Sequence, residues 1–177
     1  WKAHLAQRFG KPKSEVVPED WNKANGYKFV SMIWVSLDTG LRPIEVERAS
    51  VSWVDTDNRR LVIPKEDSAK NEGTWRVPLR DDTTQMLEKW MAERECYDKY
   101  EDTDILWLTR EGNPYQTDSL KYLLEKLCKS AGIDTEHRSM SWYAIRHSVG
   151  TYMTEKKDLK AAKTQLRHKS KYTTMQY

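Results

Sequence analysis

The chain has 177 residues and a mass of 20.9 kDa, the length of one ordinary domain. Hydrophobic residues make up 38% of it, with 8 Trp and 9 Tyr, so a sizeable core can form. There is no run of about 18 apolar residues and no apolar segment of the signal-peptide type near the start, which argues against a membrane span and against secretion.

The cysteines and the charges point to an intracellular protein that meets a polyanion. Cys96 and Cys128 fit neither a disulfide framework nor a metal knuckle and are predicted to be packed thiols, so we expect an intracellular, cytoplasmic setting. The net charge is +3, but it is uneven. Residues 1–120 hold 18 basic and 22 acidic side chains, whereas residues 121–177 hold 12 and 5.

The first predicted elements are a lead-in and a buried helix. Glycine and prolines predict a loop over residues 10–20, and residues 1–17 are interpreted as lead-in or linker. The apolar stretch 26–38 predicts a helix buried on nearly all sides. Gly40 is placed to end it, and Pro43 suits the first turn of the next helix, PIEVERAS.

Short β-type runs come next, VSWV, RLVI and TWRVPL, with the turn DTDN after the first. They predict a small antiparallel sheet of three strands. The last two runs are joined by a polar loop over residues 64–73, which carries Lys70.

Helical periodicity then returns for the rest of the chain. Thr117 or Asp118 is predicted to cap one helix, Gly132 to end it, and Ser141 to cap the next. The predicted helices cover residues 81–95, 119–132, 142–157, 158–167 and 172–177. The fold class predicted is therefore α+β, a mainly helical domain with a small sheet inserted early.

Local motifs for metals and nucleotides are missing from the sequence. The four histidines make no HxxxH pair and the cysteines no CxxC pair, so no metal site is predicted. GxxxxGK[ST], GxGxxG and GxSxG are also absent, so no cofactor is predicted.

What remains is a scatter of cations around one tyrosine. Each has an ordinary structural explanation when taken singly, such as a solvated helix end or the protection of a sheet edge. Tyr143 and Arg146 are three apart in a predicted helix and are expected to share a face, which His147 borders. The candidate reactive residues are Arg42, Lys70, Arg146, His168 and Tyr177.

Taken together, these segments resemble the catalytic domain of the tyrosine recombinases, the integrase family that includes phage integrases and chromosome-dimer resolvases. TGLRPIE is similar to the first arginine box of that family, with Arg42 and the acidic Glu45. SAKNEGTWRVPL resembles its β-hairpin, with Lys70 eight residues before Pro78. LTREGNPYQTDSLKYLLEKLCKSAGI resembles the linker and helix that follow.

The last two segments complete the resemblance. YAIRHSVGTYM is similar to the HxxR box, with Arg146 as the second arginine. LRHKSKYTTMQY is similar to LGHxSxxTTxxY, with His168 and the nucleophile Tyr177 nine apart. The resemblance covers about residues 18–177, which we interpret as the catalytic domain, and five boxes in the right order make it specific.

The sequence departs from the family pattern in two boxes. Tyr143 replaces the histidine of HxxR, and a phenol with a reference pKa of about 10 is no base at neutral pH. Arg167 replaces the glycine of LGH and adds either a phosphate contact or merely a charge. The N-terminal DNA-clamping domain and the tail after the tyrosine that family members usually carry are expected to be absent from this chain.

The resemblance implies strand cleavage by Tyr177, giving a 3′-phosphotyrosyl link without metal or ATP. Arg42 and Arg146 would hold the phosphate oxygens, Lys70 would protonate the departing 5′-oxygen, and His168 would assist the tyrosine. Tyr143 would donate a hydrogen bond to a phosphate oxygen. Supporting roles are expected for Glu45 and His147, although a plain helix salt bridge explains Glu45 equally well.

The implied partner is double-stranded DNA, contacted by Arg167, Lys169 and Lys171. The resemblance also implies self-association, as a dimer or tetramer on DNA and a monomer for this chain alone, and an origin in a virus or another mobile element. Two alternatives stay open. One is DNA relaxation of the type IB topoisomerase kind, and the other is a DNA-binding relic with weak or no activity.

Overall fold

The computed structural model describes residues 2–17, 19–20, 26–69, 73–138 and 140–168. The predicted helix near residues 172–177 lies outside this range. So do four of the candidate site residues, which are Lys70, Lys169, Lys171 and Tyr177.

The described part is mainly helical, with one small antiparallel sheet, and this confirms the predicted α+β class. The helices are α1 (Lys2–Phe9), α2 (Gly26–Thr39), α3 (Pro43–Arg48), α4 (Asp81–Arg94), α5 (Thr117–Ser130), α6 (Trp142–Lys156) and α7 (Leu159–Gln165). The strands are β1 (Val54–Asp55), β2 (Arg60–Ile63) and β3 (Trp75–Pro78), in that spatial order. Short 3-10 turns occupy Lys13–Glu15, Val51–Trp53 and Asp98–Tyr100.

Helix α2 is the centre of the core, as its continuous apolar run predicts. It packs against α4 on one side and α6 on another, with Met32 and Val35 fully buried between them. Two serines interrupt the apolar run, and both satisfy buried indoles. Ser31 accepts a hydrogen bond from Trp107 at 3.1 Å, and Ser36 accepts one from Trp142 at 3.2 Å. An unpaired buried indole N–H is costly, so these serines allow two tryptophans to enter the core.

The sheet is smaller than the sequence predicts. Strands β2 and β3 pair antiparallel, with Leu61 opposite Val77, and both side chains are buried. The prediction of a full strand for VSWV is wrong, because its first three residues form the 3-10 turn Val51–Trp53. The Ser50 hydroxyl accepts a hydrogen bond from the Ser52 N–H, and such local bonds compete with a strand ladder.

Two predicted helix caps are also corrected. Helix α5 follows Gln116 as its N-cap residue, so neither Thr117 nor Asp118 caps it. Ser141 does occupy the N-cap position of α6, but its side chain makes no capping hydrogen bond. Both helices begin near the predicted residue, because tertiary burial of their apolar stripes outweighs a missing cap.

The segment interpreted as a lead-in contains helix α1. Leu5 in α1 is fully buried and packs in a small cluster with Val16. None of the helices in the described ranges is long and apolar enough to cross a membrane.

Gly40 ends α2 and lies against the end of the described chain. Its φ is +61°, in the left-handed region that favours glycine. A Cβ at this position would meet Leu166 Cδ2 at 2.7 Å, and Val149 and Arg146 on α6 lie within 4 Å. The helix end and the segment after α7 are therefore in direct contact, with no room for a methyl group.

Replacing Gly40 by alanine is expected to lower the free energy of unfolding by several kcal/mol. The left-handed backbone alone costs about 1–2 kcal/mol for a residue with a Cβ, and the collision with Leu166 adds an overpacking cost of about 1–3 kcal/mol. Urea denaturation measures the loss.

Gly132→Ala is the matched control for this variant. Gly132 has a φ of +70°, but its added Cβ would meet nothing within 4 Å, so only the backbone cost of about 1 kcal/mol remains. Equal losses in the two variants would contradict a steric role for Leu166.

Candidate active site

Arg42 is held at the start of a short helix by its own acidic partner. It is the N-cap residue of α3, with extended backbone, and Pro43 follows at the first helical position. The Arg42 backbone N–H donates to Glu45 Oε2 at 2.8 Å, and Arg42 Nη1 donates to Glu45 Oε1 at 3.2 Å. The sequence TGLRPIE therefore folds locally into a capped turn that fixes both the backbone and the guanidinium of Arg42.

Glu45 itself is completely buried and binds two further segments. Arg167 Nη2 donates to Glu45 Oε2 at 2.8 Å, and the Ala69 N–H reaches Glu45 Oε1 at 3.5 Å. Ala69 precedes Lys70, and Arg167 precedes His168. One carboxylate thus ties together the three chain segments that carry three of the predicted site residues.

The electrostatics favour an ionised Glu45. Burial alone raises the pKa of a carboxyl group, but the charges of Arg167 and Arg42 and the Arg42 N–H lower it more. The net effect holds the pKa of Glu45 below its ordinary value of 4.5. Glu45 makes the helix salt bridge to Arg42 and a second ion pair to Arg167, and its supporting role in catalysis stays a prediction.

Arg167 lies in the interior rather than on an open surface. Its exposed fraction is 3%, and its Nη2 also approaches the Gly40 carbonyl at 3.4 Å. Its φ is +55°, the left-handed conformation suited to the glycine that the family pattern has here. Nε and Nη1 are buried without a hydrogen-bond acceptor among the described residues.

The Arg146 side chain extends from α6 to the Gly40 carbonyl, which Arg167 also approaches. Its exposed fraction is 2%, and its two terminal nitrogens donate to the carbonyls of Gly40 and Leu166. It therefore joins the turn before Arg42 to the turn before His168, through backbone atoms that no side-chain motif reveals.

Tyr143 and His147 do not share the environment of Arg146. The Tyr143 side chain is 55% exposed and His147 is also exposed, whereas Arg146 is turned into the core. Residues three apart lie on one face of a helix, as expected for Tyr143 and Arg146, but here the boundary of the core runs between the two side chains.

His168 borders a groove beside the sheet. It is partly buried, and its backbone N–H donates to the Lys163 carbonyl at 3.0 Å, just after α7. The groove has a volume of about 690 Å³ and lies between Trp75 of β3 and Lys163 and Thr164 of α7, with Arg167 also in its wall.

The structure adds residues that the motifs did not indicate. The Gly40 and Leu166 carbonyls and the Ala69 N–H organise the site through the backbone; these residues lie within the quoted segments, but no sequence signal marks their hydrogen bonds. Gln165 also donates to the Asp38 carbonyl, fixing α7 to the end of α2. No group of three or more His, Cys, Asp or Glu suited to a metal ion occurs among the described residues.

Comparison with known proteins decides the family. Residues 17–177 match the model of the phage integrase family. The chain belongs to the phage integrase family. Among curated relatives, tyrosine recombinase XerC of Proteus mirabilis is 26% identical over 148 residues, covering 83% of this chain and 46% of that protein. XerC of Alcanivorax borkumensis is 23% identical over 139 residues, covering 78% and 43%.

Solved structures of integrase-type proteins have the same fold. XerA recombinase matches with a TM-score of 0.73 and 19% identity, over 98% of this chain and 56% of that one. XerH recombinase, bound to a palindromic difH substrate, matches with a TM-score of 0.69 and 20% identity, over 98% and 46%. The chain thus spans about half the length of the relatives it matches.

Glu45→Gln is expected to destabilise the fold by about 3–5 kcal/mol at neutral pH, because it leaves buried Arg167 without its counter-charge. A lowered folded-state pKa gives stability that is present above the unfolded value and lost as pH falls through the folded one. The difference between the wild type and this variant should therefore shrink below about pH 4.5. Urea denaturation between about pH 7 and about pH 3 measures it.

Glu125→Gln is the control for this pH series. The Glu125 side chain is 45% exposed and lies 3.9 Å from Lys121, so its loss should change stability by at most about 0.5 kcal/mol at any pH. A wild-type advantage over Glu45→Gln that persists unchanged below pH 4 would contradict an ionised Glu45.

Arg167→Gly is expected to be less destabilising than Arg167→Ala by about 1 kcal/mol. Both variants lose the ion pair with Glu45, but only glycine accepts the φ of +55° without strain. Arg59→Gly supplies the control, since Arg59 has a φ of +49° and only an exposed pair with Asp81. It should be neutral or stabilising in the same denaturation experiment.

Proposed function

We propose that this chain is the catalytic domain of a site-specific DNA recombinase of the integrase type. The observation that carries the proposal is the buried carboxylate of Glu45, which joins Arg42 to the residues preceding Lys70 and His168. A purely structural domain has no need to bring these particular segments to one point. The family membership gives the chemistry that such a cluster of cations serves.

In the proposed reaction, the Tyr177 hydroxyl oxygen attacks a DNA phosphorus atom. The new bond is Tyr177 O–P, and the bond that breaks joins phosphorus to the 5′-oxygen of the next nucleotide. The phenol proton leaves with the help of His168, and Lys70 supplies a proton to the departing 5′-oxygen. The reverse attack by a 5′-hydroxyl of another strand rejoins the DNA, so no external energy source is consumed.

The arginines stabilise the charge that develops on the phosphate. The transition state places additional negative charge on the non-bridging oxygens, and preorganised donors are worth about 3–4 kcal/mol each in such a site. Arg42 is fixed by Glu45 in two places, and Arg146 is fixed by two carbonyls, so both are held before substrate arrives. Rigid placement of this kind reduces the reorganisation needed during the reaction.

Tyr143 is proposed to act as a hydrogen-bond donor and not as a base. Its exposed side chain is accessible to a bound phosphate, and the phenol O–H is a hydrogen-bond donor. His147 is exposed one turn further along α6 and is proposed to support the same contact.

DNA contacts are proposed for the basic C-terminal third of the chain. Lys169 and Lys171 supply phosphate contacts next to the nucleophile segment. The burial of Arg167 against Glu45 favours a role in which Arg167 positions His168. Direct contact of Arg167 with DNA stays a prediction. The matched XerH recombinase is bound to its difH substrate, which supports double-stranded DNA as the ligand of this chain.

Self-association is proposed to accompany recombination, because exchange of strands needs two DNA sites held together. This chain is proposed to be a monomer without DNA and to assemble as a dimer or tetramer on DNA. Cytoplasmic localisation with the chromosome follows from the same proposal.

The test is covalent trapping on duplex DNA that carries a nick near the cleaved phosphate. The chain, and any longer protein that contains it, is incubated with this DNA and a metal chelator, denatured and run on a gel. A protein–DNA adduct is expected, and Tyr177→Phe should abolish it. Arg42→Ala should lower the rate of adduct formation about a hundredfold or more.

Arg48→Ala is the matched control on the same short helix. Arg48 is exposed and contacts only the Asp67 carbonyl at 3.4 Å among the described residues, so adduct formation should be unchanged. DNA binding without any adduct would leave the relic interpretation. An adduct formed equally on every DNA sequence would favour a topoisomerase.

A further inference from the structure

A second basic cavity lies at the opposite end of α2 from Arg42. It has a volume of about 810 Å³ and is lined by residues of α1, α2 and α5 and of the segment between α4 and α5. Four exposed cations stand around it, and Glu111 is its single carboxylate among the described residues. The four are Arg8, Lys99, Arg110 and Lys126. We name it the Lys28 cavity, after the residue that distinguishes it.

Lys28 is a buried cation in the wall of this cavity. Its exposed fraction is 5%, and its ammonium donates to the Leu108 carbonyl at 3.2 Å. The ring centres of Phe29 and Tyr115 lie 4.6 Å and 5.8 Å from the nitrogen. One carbonyl and two ring faces leave an ammonium with three N–H donors incompletely satisfied.

No carboxylate in the described residues forms an ion pair with Lys28. Its acidic neighbours Glu93 and Glu111 lie beyond salt-bridge distance, and Glu93 already accepts a hydrogen bond from Tyr97 at 2.8 Å. Burial, together with the charge of Lys99, lowers the pKa of Lys28 to about 8. Buried charges in proteins are normally paired, so a cation in this state is suited to an external anion.

We propose that the Lys28 cavity binds a phosphate group of the DNA backbone, away from the reacting phosphate. The proposal rests on the recombinase function proposed above. A phosphodiester presents acceptor oxygens to several donors at once, which suits one buried and four exposed cations. The cavity is far larger than a single ion needs, so it fits a phosphate that belongs to a strand better than free phosphate.

The length of α2 fits contact with a single duplex. Eleven residues separate Lys28 from Thr39, the last residue of the helix, which corresponds to about 16 Å along its axis. A duplex carries a phosphate about every 3.4 Å on each strand, so many phosphates pass over such a distance. Phosphate contacts of this kind fix the register of a protein on DNA without reading the sequence.

The test compares DNA affinity across a salt series for Lys28→Met and Glu111→Gln. Methionine keeps the apolar stem and removes the charge, so affinity should fall about tenfold at low salt and the slope of log K against log salt should become shallower by about 0.9. Glu111→Gln removes the one carboxylate of the cavity and should strengthen binding. Lys13→Gln, which removes an exposed charge outside both the cavity and residues 121–177, is the control for net charge.

Stability separates this role from a structural one. Lys28→Met should unfold at the same or a higher urea concentration than the wild type, because replacing a buried charge by an apolar side chain is often neutral or stabilising. Lower stability with unchanged DNA affinity and slope would overturn the proposal. An equal affinity loss in Lys13→Gln would also overturn it.

A second experiment compares the thermal unfolding of the protein in inorganic phosphate and in chloride at equal ionic strength. We expect inorganic phosphate not to shift the unfolding temperature of the wild type, and Lys28→Met to reduce the salt slope of DNA binding. This result would assign the cavity to DNA. A phosphate shift that Lys28→Met abolishes, with an unchanged slope, would overturn DNA as the ligand. Covalent trapping is a separate experiment that tests the recombinase function. Failure of that function can therefore be distinguished from failure of the proposed phosphate site.

Discussion

The carboxylate of Glu45 is the interaction on which the rest of the site depends. It is fully buried, carries a negative charge, and accepts from Arg42, from Arg167 and from the Ala69 N–H. These partners come from three segments distant in the sequence. A buried charge is tolerated only when it is paired. If the three segments did not meet, the buried Glu45 carboxylate would lack its partners and its desolvation would be costly.

Backbone carbonyls provide the second layer of this organisation. Arg146 donates to the carbonyls of Gly40 and Leu166, and the absence of a side chain at Gly40 lets Leu166 approach. Helix α2 ends at this point, with its core position fixed by serine–tryptophan hydrogen bonds. The helix that builds the core therefore also places the first arginine box, and any loss of core packing is transmitted to the site.

The two departures from the family pattern have different physical consequences. Arg167 takes a backbone conformation suited to glycine, and its ion pair with Glu45 offsets the strain. Tyr143 stands in place of the histidine of the family pattern. Its phenol is exposed, so the substitution leaves the packing of α6 unaffected. The Lys28 cavity adds a third feature at the far end of α2, where Lys28 is buried without an ion-pair partner among the described residues.

The sequence by itself determined the α+β class, most helix positions and the reactive residue types, because apolar periodicity and the five boxes are local patterns. It also indicated Arg42 and Glu45 as a pair, since they lie one turn apart. It missed the 3-10 turn at Val51–Trp53 and the burial of Arg167. Only the tertiary structure decided the burial of Arg167 and the links of Arg146 to two carbonyls. The bonds of Arg146 to Gly40 and of Arg167 to Glu45 span more than a hundred residues, and the bond of Arg146 to Leu166 spans 20, so none of them has a local signature in the sequence.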